Sequence, residues 1–495
     1  MPFFRGPNDW QGPRWLNKLR SRQSCLPTFC HRLCSESERS RSDLERPDRV
    51  PWQRIFKSNV AQASYHLHQS FLQFRLHLLS RPTDRSEITR PSVSLNPQIK
   101  LFQARWILPI SGPPICRGWV LTEGHRILGV SGSAPPPTGI PAIDLGAQTI
   151  IPGLVNSHTH LEFSQLRHPL GSPGIRLNDW IGEVLRWRQT DGNNSQNAIR
   201  LGLREVAAGG AILAGEIATP PWLVANEPLD VEVVAFAEVL GLTEQRAAER
   251  LAAATSLIES LADRPWVTAG VSPHAPYSTS LETTRRAVSI AESRCLGVAM
   301  HLGESEAERE LLTRGTGGFA KTLATLGVDY AAIAGPGEGR HMAYLRILAN
   351  APFALVIHGH DLQEDEVEVI ATSPRMTLVY CPRTQAYFGH KPYGFERLVR
   401  RGGRIALGTD SRASNPDLSI WNELRWLWKN RPDLPWDRVL RMATIDGADA
   451  FLRPDLGRIE TGARCGLLAL PGDADSVDEL VELWLGCDSP IWITR

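Results

Sequence analysis

The sequence predicts an α/β protein, a (β/α)₈ TIM barrel with a small composite β-sandwich formed by segments before and after the barrel. In the middle of the 495-residue chain, eight short apolar segments alternate with helical stretches, which is typical of parallel βα units. Strand-like segments broken by Gly and Pro flank this middle on both sides. We therefore expect residues 97–150 with 455–495 to form the sandwich and residues 151–454 to form the barrel.

The eight candidate barrel strands are short apolar runs of similar length. They cover residues 150–160, 211–217, 231–239, 267–272, 297–302, 353–358, 376–381 and 404–408. Helical periodicity predicts helices between them, for example over 242–262, 281–293 and 361–372. A doubly wound open sheet is the alternative, but no Gly-rich phosphate loop follows the first strand, which disfavours it.

Residues 1–96 differ in composition from the rest of the chain. They are rich in Arg and Ser, as in RSRQSC and SESERSRSDLERPDR, and only residues 59–80 have a helical pattern. We expect a mostly disordered N-terminal extension, because so polar a stretch buries little apolar surface. A wrongly assigned translation start is an alternative explanation, so whether the stretch belongs to the native protein is left open.

Composition and charge exclude several classes of function. The chain is 42% hydrophobic and 22% charged with a formal net charge of +1, so no overall field favours nucleic acid or a membrane surface. It has no run of about 18 apolar residues and no apolar signal core. Its eight cysteines are scattered, which disfavours a disulfide framework. We expect a cytoplasmic protein with a small-molecule substrate, and the possibility of a homo-oligomer stays open.

Polar residues fall where such a barrel carries its active site, at the C-terminal ends of the strands. His158 and His160 end the first predicted strand, His301 and His358 end the fifth and sixth, and Asp410 follows the eighth. One histidine on an apolar strand is most simply a buried core residue. That explanation does not account for several histidines and an aspartate at matching strand ends.

The spacing of the first two histidines favours metal binding. Residues i and i+2 of a strand face the same side, so His158 and His160 can bind one ion at about 2.0–2.1 Å. His301 and Asp410 complete a mixed nitrogen and oxygen set that suits Zn²⁺ or Fe²⁺. A water in the remaining position would lose a proton near neutral pH.

Six motifs together resemble the amidohydrolase superfamily, in its branch of cytosine-deaminase-like and chlorohydrolase-like metal-dependent hydrolases. They are IIPGLVNSHTHLEF, VSPHAPYSTS, AMHLGESEAE, ALVIHGHDL, VYCPRTQAYFGH and ALGTDSRASNPDLS. The resemblance covers roughly residues 97 to 470 and rests on the order and spacing of the motifs, since HxH alone is a weak signal. It implies a barrel with a composite β-sandwich, and hydrolysis of carbon–nitrogen bonds other than peptide bonds.

The resemblance also implies roles for individual residues. The implied metal ligands are His158, His160, His301 and Asp410, and Asp410 would also take a proton from the water. Glu304 in HLGE matches the proton shuttle, and His358 matches the residue that contacts the hydroxide or the substrate. His360 is a weaker competitor for the role of His358.

Three further residues are candidates for substrate binding. His274 in PHAPYS matches a histidine that contacts substrate in the family. Arg383 in CPRTQAYF and Arg412 in TDSRASN could bind an anionic or carbonyl group. Surface ion pairs are an equally good interpretation of both arginines.

The distribution of lysine bears on the number of metal ions. Relatives with two metals bridge them with a carboxylated lysine on an early or middle strand, and this chain has no lysine from 101 to 320. We therefore expect one divalent metal, zinc before iron. The predicted reaction is hydrolytic deamination of an amino-substituted nitrogen heterocycle by metal-bound hydroxide. Ring hydrolysis of a cyclic amide and triazine dechlorination are alternatives, and a non-catalytic assembly module is disfavoured because all four ligands are present.

Overall fold

The computed structural model describes residues 99–190, 196–222, 229–391 and 395–495. The N-terminal extension expected over residues 1–96, with its candidate helix over 59–80, lies outside the described residues. Every structural statement below concerns the described ranges.

The described chain begins with five strands of a small sheet. These strands are β1 (Ile99–Ile107), β2 (Ile115–Glu123), β3 (Arg126–Ser131), β4 (Ala142–Asp144) and β5 (Gln148–Pro152). Alternating burial along β1 is what a half-buried strand requires. The apolar faces of β1, β2, β3 and β5 form a separate small core with residues from the C-terminal part of the chain.

Eight parallel strands then form the barrel, and their order in the sheet follows the chain. They are β6 (Leu154–Thr159), β7 (Ala211–Ala218), β8 (Glu232–Val239), β9 (Val267–Pro273), β10 (Gly297–Leu302), β11 (Ala354–His358), β12 (Met376–Tyr380) and β13 (Arg404–Leu407). The strands are almost fully buried because helices cover their outer faces. The predicted fold class is thereby confirmed.

Helices alternate with the barrel strands and continue after the last of them. They are α1 (Leu177–Thr190), α2 (Gln196–Ala208), α3 (Glu244–Leu261), α4 (Leu281–Arg294), α5 (Glu306–Arg314), α6 (Gly317–Thr325), α7 (Tyr330–Ala334), α8 (Arg340–Leu348), α9 (Glu364–Thr372), α10 (Pro382–Tyr387), α11 (Glu396–Arg400), α12 (Ile420–Asn430), α13 (Trp436–Met442), α14 (Ile445–Ala450) and α15 (Val477–Leu485). Several begin at a Ser or Thr whose hydroxyl accepts a backbone N–H, as Thr243 does for α3 and Ser280 for α4. Among the described helices, none has the length and apolar character needed to cross a membrane.

Strands β14 (Leu467–Pro471) and β15 (Ile491–Thr494) return to the small sheet after the barrel. The order in this sheet is β15-β14-β5-β1-β2-β3, with β4 paired to β1. The small sheet is thus built from chain segments that precede and follow the barrel, as the sequence predicts. The exact limits of 97–150, 151–454 and 455–495 stay a prediction.

The first predicted strand, residues 150–160, is two strands in the structure. β5 belongs to the small sheet and β6 to the barrel, and the chain crosses between them at Gly153. A Cβ at Gly153 would lie 3.1 Å from Ile212 Cβ and 3.2 Å from the Trp492 ring. Glycine therefore allows the close approach that the crossing requires.

The barrel closes between its first and last strands, and this seam brings two predicted ligands together. Thr159 forms a parallel bridge with Asp410, and the N–H groups of Thr409 and Asp410 donate to the His158 carbonyl at 3.1 and 3.0 Å. The Asn156 side chain exchanges two hydrogen bonds with Thr409, at 2.9 and 3.1 Å. His158 and Asp410 are therefore fixed relative to each other by backbone contacts.

Candidate metal centre and active site

Four imidazole rings converge at the C-terminal ends of β6, β10 and β11. The ring centroid of His158 lies 4.8 Å from that of His160, 5.0 Å from that of His301 and 5.6 Å from that of His358. Asp410 Oδ1 lies 3.5 Å from His158 Nε2 and 3.7 Å from His160 Nε2. All five side chains are buried, so the polar cluster lies at one end of an otherwise apolar barrel.

The donor atoms of this cluster fit a divalent metal ion. Within 4.8 Å of one another lie one ligand atom each from His158, His160 and His301, and likewise from His158, His358 and Asp410. The Nε2 atoms of His160 and His301 are 3.2 Å apart, close to the separation of about 3.3 Å for two tetrahedral ligands at 2.0–2.1 Å. In the described part of the chain, neither ring nitrogen of His158 has a hydrogen-bond partner. Such buried polar atoms are costly unless they bind a ligand.

The environment of His160 and His301 favours the neutral form of the ring, which is the form that binds metal. Burial, together with the charge of neighbouring histidines, lowers the pKa of His160 and of His301 well below the usual value. The His301 Nδ1–H donates to the His274 carbonyl at 2.9 Å, which leaves its Nε2 lone pair facing the cluster. A backbone partner of this kind commonly fixes the tautomer of a metal-binding histidine.

Two residues of the cluster adopt a backbone conformation that favours glycine. His358 has φ of +73° and Asp410 has φ of +60°, and each such position costs about 1–3 kcal/mol in a non-glycine residue. The Ser414 hydroxyl donates to Asp410 Oδ2 at 2.9 Å and holds the carboxylate in place. Such a conformation persists only where surrounding contacts hold the residue in place. His358 and Asp410 are both members of the cluster, so the unfavourable backbone conformation is confined to the candidate site.

Glu304 lies beside the cluster as a buried carboxyl group. Its Oε1 is 3.4 Å from His358 Nε2, and the Tyr277 hydroxyl donates to its Oε2 at 3.5 Å. Burial, and then the negative charge of Asp410, raise the pKa of Glu304 well above the usual value. A raised pKa favours the protonated carboxyl group, which is the form that can act as a general acid.

The Amidohydrolase family pattern matches residues 149–484, which is most of the described chain. The chain belongs to the amidohydrolase family. It resembles the 5-methylthioadenosine/S-adenosylhomocysteine deaminase of Moorella thermoacetica, with 25% identity over 381 residues that cover 73% of this chain and 83% of the relative. The predicted family is thus confirmed, and the protein is a hydrolase that acts on carbon–nitrogen bonds.

Two solved structures share the fold. The crystal structure of Helicobacter pylori aminofutalosine deaminase has a TM-score of 0.68 and 21% identity, and the match covers 79% of this chain and 97% of that chain. Atrazine chlorohydrolase from Arthrobacter aurescens TC1, complexed with zinc, has a TM-score of 0.62 and 17% identity, covering 78% and 91%. At these identities the likeness concerns the architecture alone.

Of the three residues predicted to bind substrate in this amidohydrolase, only His274 lies in the histidine cluster, and the two arginines are held in ion pairs. His274 joins the cluster, with its ring centroid 4.9 Å from that of His301, and burial lowers its pKa to about 3. Arg383 instead pairs with Asp417 and Glu423, each at 2.7 Å. Arg412 pairs with Glu205 at 2.9 Å. Both arginines thus form ion pairs. The Arg412 pair is partly exposed, in line with the surface ion pair that the sequence left open, whereas the Arg383–Glu423 pair is buried. Contact of either arginine with substrate stays a prediction.

A polar rim lies beside His274 and consists of Glu162, Arg188 and Glu238. Arg188 of α1 donates to Glu162, and Glu238 Oε1 lies 3.8 Å from His274 Nε2. Glu238 also accepts a hydrogen bond of 3.0 Å from the Thr219 hydroxyl. Of these three residues, Glu238 lies nearest His274, and Arg188 and Glu162 add a paired cation and carboxylate.

Glu216 and Glu308 are buried carboxyl groups that the sequence did not single out. Glu216 of β7 accepts from the Leu161 N–H at 3.1 Å and from the Thr159 hydroxyl at 2.6 Å. It therefore supports the chain on both sides of His160. Glu308 of α5 likewise accepts backbone N–H groups, those of Gly303 and Glu304. The signal for Glu216 was a charged residue inside the apolar run AILAGEIA, whereas Glu308 is hidden in an ordinary helix-start pattern.

Proposed function

We propose that this amidohydrolase hydrolytically deaminates an adenosine-like nucleoside with the help of one divalent metal ion, zinc before iron. The observation that carries the proposal is the convergence of one buried carboxyl group, Glu304, with His358 and Asp410 on a buried set of metal donors. Proton donor, proton acceptor and metal site then lie close enough together to act on one ring carbon of a substrate and on the nitrogen atoms bonded to it. Hydrolysis at a ring carbon needs all three.

The metal would be held by His158, His160, His301 and Asp410. A bound divalent ion supplies positive charge that lowers the pKa of a water molecule towards neutrality. Zinc is favoured by the predominance of imidazole ligands, and zinc is present in the chlorohydrolase structure with the same fold. The lack of lysine from 101 to 320 supports one ion rather than two.

The residues of the chain can move the protons that deamination requires. Water oxygen forms a bond to the ring carbon that bears the amino group, while Asp410 accepts one of its protons. Glu304, with His358 beside it, donates its proton to the adjacent ring nitrogen. As the carbon–nitrogen bond breaks, the amino group takes the proton held by Asp410 and leaves as ammonia. The hydroxyl on the ring carbon gives its proton to Glu304 and becomes the ring carbonyl. The raised pKa of Glu304 matches this task.

The polar rim supports a nucleoside in preference to a free base or an alkylated triazine. Glu162, Arg188 and Glu238 together provide donors and acceptors for sugar hydroxyls. The named activity of the Moorella relative also concerns adenosine-like compounds. We propose that His274 contacts the substrate between the rim and the metal. A cytoplasmic location and a homo-oligomer stay predictions.

A substrate panel tests the proposal. Zinc-loaded protein is incubated with 5-methylthioadenosine, S-adenosylhomocysteine, adenosine, adenine, atrazine and a cyclic amide, and ammonia, chloride and ring opening are followed separately. We expect ammonia from the nucleosides at a higher kcat/KM than from adenine. Chloride release from atrazine or ring opening of the amide, without ammonia from any nucleoside, would contradict the proposal.

A further inference from the structure

Glu308 is a fully buried carboxylate in the first turn of α5, directly behind the active site. The sequence Ser305-Glu306-Ala307-Glu308 has the pattern of a capping box, in which the Glu carboxylate would accept the N–H of Ser305. In the structure the carboxylate instead contacts the two residues that precede Ser305 in the chain. It accepts the Gly303 N–H at 2.9 Å and the Glu304 N–H at 3.3 Å. Glu308 therefore binds the peptide groups that carry the proton shuttle.

His341 of α8 contacts the same oxygen of Glu308 that accepts the Gly303 N–H. Its Nε2 lies 3.0 Å from Glu308 Oε1, and the imidazole is 1% exposed. A hydrogen bond between two buried charged or polar groups is strong and directional, because water does not compete for it. Capping a helix does not require this second partner, whereas fixing the orientation of the carboxylate does.

The turn that Glu308 binds determines where Glu304 points. Strand β10 ends at Leu302, and Gly303 reverses the chain direction with φ of +67°. The Gly303 carbonyl accepts the Asp361 N–H at 2.8 Å, which fixes the other face of the same peptide unit. With its N–H groups bound by Glu308 and its carbonyl bound by Asp361, the turn has little freedom. The Glu304 side chain leaves this turn towards His358.

We propose that Glu308, oriented by His341, is a positioning residue that fixes Glu304 in the geometry needed for proton transfer. The inference rests on the proposed function for the role of Glu304, but the hydrogen bonds themselves can be tested without any substrate. A loss of this support lets Glu304 shift relative to the substrate. A misplacement of about 1 Å costs roughly a hundredfold in rate.

The test uses the full-length, metal-loaded protein and three variants. Glu308→Gln removes the charge and one acceptor oxygen with little change of shape, and His341→Gln is a second variant in case the first does not fold. Asp446→Asn is the matched control, because Asp446 is also a buried carboxylate but pairs with Arg438 and Arg441. Hydrogen exchange of the backbone segment 302–308, metal content, and kcat and KM for ammonia release are measured for each.

We expect exchange of segment 302–308 to accelerate at least about tenfold in Glu308→Gln. The kcat should fall roughly tenfold to a hundredfold, with KM changed less than about threefold and metal content unchanged. His341→Gln should show the same changes with smaller size, and Asp446→Asn should show neither. Unchanged exchange, unchanged kcat despite faster exchange, or an equal loss of kcat in the control would each overturn the inference.

The same measurements distinguish an error in the proposed deaminase activity from an error in the role of Glu308. If the wild-type protein releases no ammonia from any nucleoside in the panel, the function is wrong. The exchange rates of segment 302–308 then still decide whether Glu308 binds the turn. If the wild type is active and only Glu308→Gln lacks an effect, the positioning role alone fails.

Discussion

Glu216 offers a sharp test of how the metal ligands are held. Its carboxyl group is 1% exposed. It accepts hydrogen bonds from the Leu161 N–H at 3.1 Å and the Trp222 indole N–H at 3.3 Å, and from the Thr159 hydroxyl at 2.6 Å. The Thr159 hydroxyl has a second acceptor, the Gly215 carbonyl at 3.0 Å. Glu216→Ala therefore leaves two buried donors without a partner, while Glu216→Gln keeps an acceptor oxygen.

The size of the effect follows from those two donors. Each buried donor that loses its partner costs about 1–3 kcal/mol, so Glu216→Ala should lower the free energy of unfolding by about 2–6 kcal/mol. Glu216→Gln should cost about 1 kcal/mol, because its amide can replace the carboxyl group. Since Leu161 directly follows His160, metal affinity should also fall, by about tenfold to a hundredfold in the alanine variant.

Urea denaturation of both variants, with and without metal, measures the stability difference, and competition with a chelator measures metal affinity. The glutamine variant is the matched control, because it removes the carboxyl group but keeps an acceptor oxygen in the same place. If the alanine and glutamine variants unfold within about 1 kcal/mol of each other and bind metal equally well, Glu216 does not support the metal centre.

Two further predictions concern the arginine pairs and acid. Arg383→Ala should lower the free energy of unfolding by about 3–5 kcal/mol because it leaves the buried Glu423 carboxylate uncompensated, while Arg412→Ala, at a partly exposed pair, should cost about 1 kcal/mol. A raised KM in folded Arg383→Ala would instead indicate a substrate contact. Because burial lowers the pKa of His160 and His301 well below the usual value, both stay unprotonated as the pH falls, so bound metal should survive dialysis at about pH 6. Half-release near about pH 6.5, the value for an exposed histidine, would contradict this expectation.

The barrel could be predicted because its strands are buried on both faces and so appear as apolar runs of strand length. The polar residues stood out against those runs, which is why His158, His301 and Asp410 could be found from one sequence. The boundary between β5 and β6 at Gly153 could not be predicted, because both strands are buried and apolar and so form one continuous apolar run. Only the close approach to Ile212 and Trp492 shows why the chain crosses between sheets there.

The partners of charged residues could not be predicted. Arg412 pairs with Glu205, 207 positions away, and Arg383 pairs with Glu423, 40 positions away. Sequence patterns constrain neighbours within a helix or strand, but such distant pairs depend on which elements meet in three dimensions. Glu308 was missed for a related reason, since its local pattern is fully explained by helix capping.

In the proposed deamination, a metal held by the histidine cluster and a proton carried by Glu304 act together. Ammonia release from 5-methylthioadenosine by Glu304→Gln and by the wild type, at equal metal content, tests this most directly. We expect one metal ion per chain in both proteins and a loss of kcat of about a hundredfold to ten-thousandfold in the variant. A variant that retains its metal and deaminates within about threefold of the wild-type rate would contradict it.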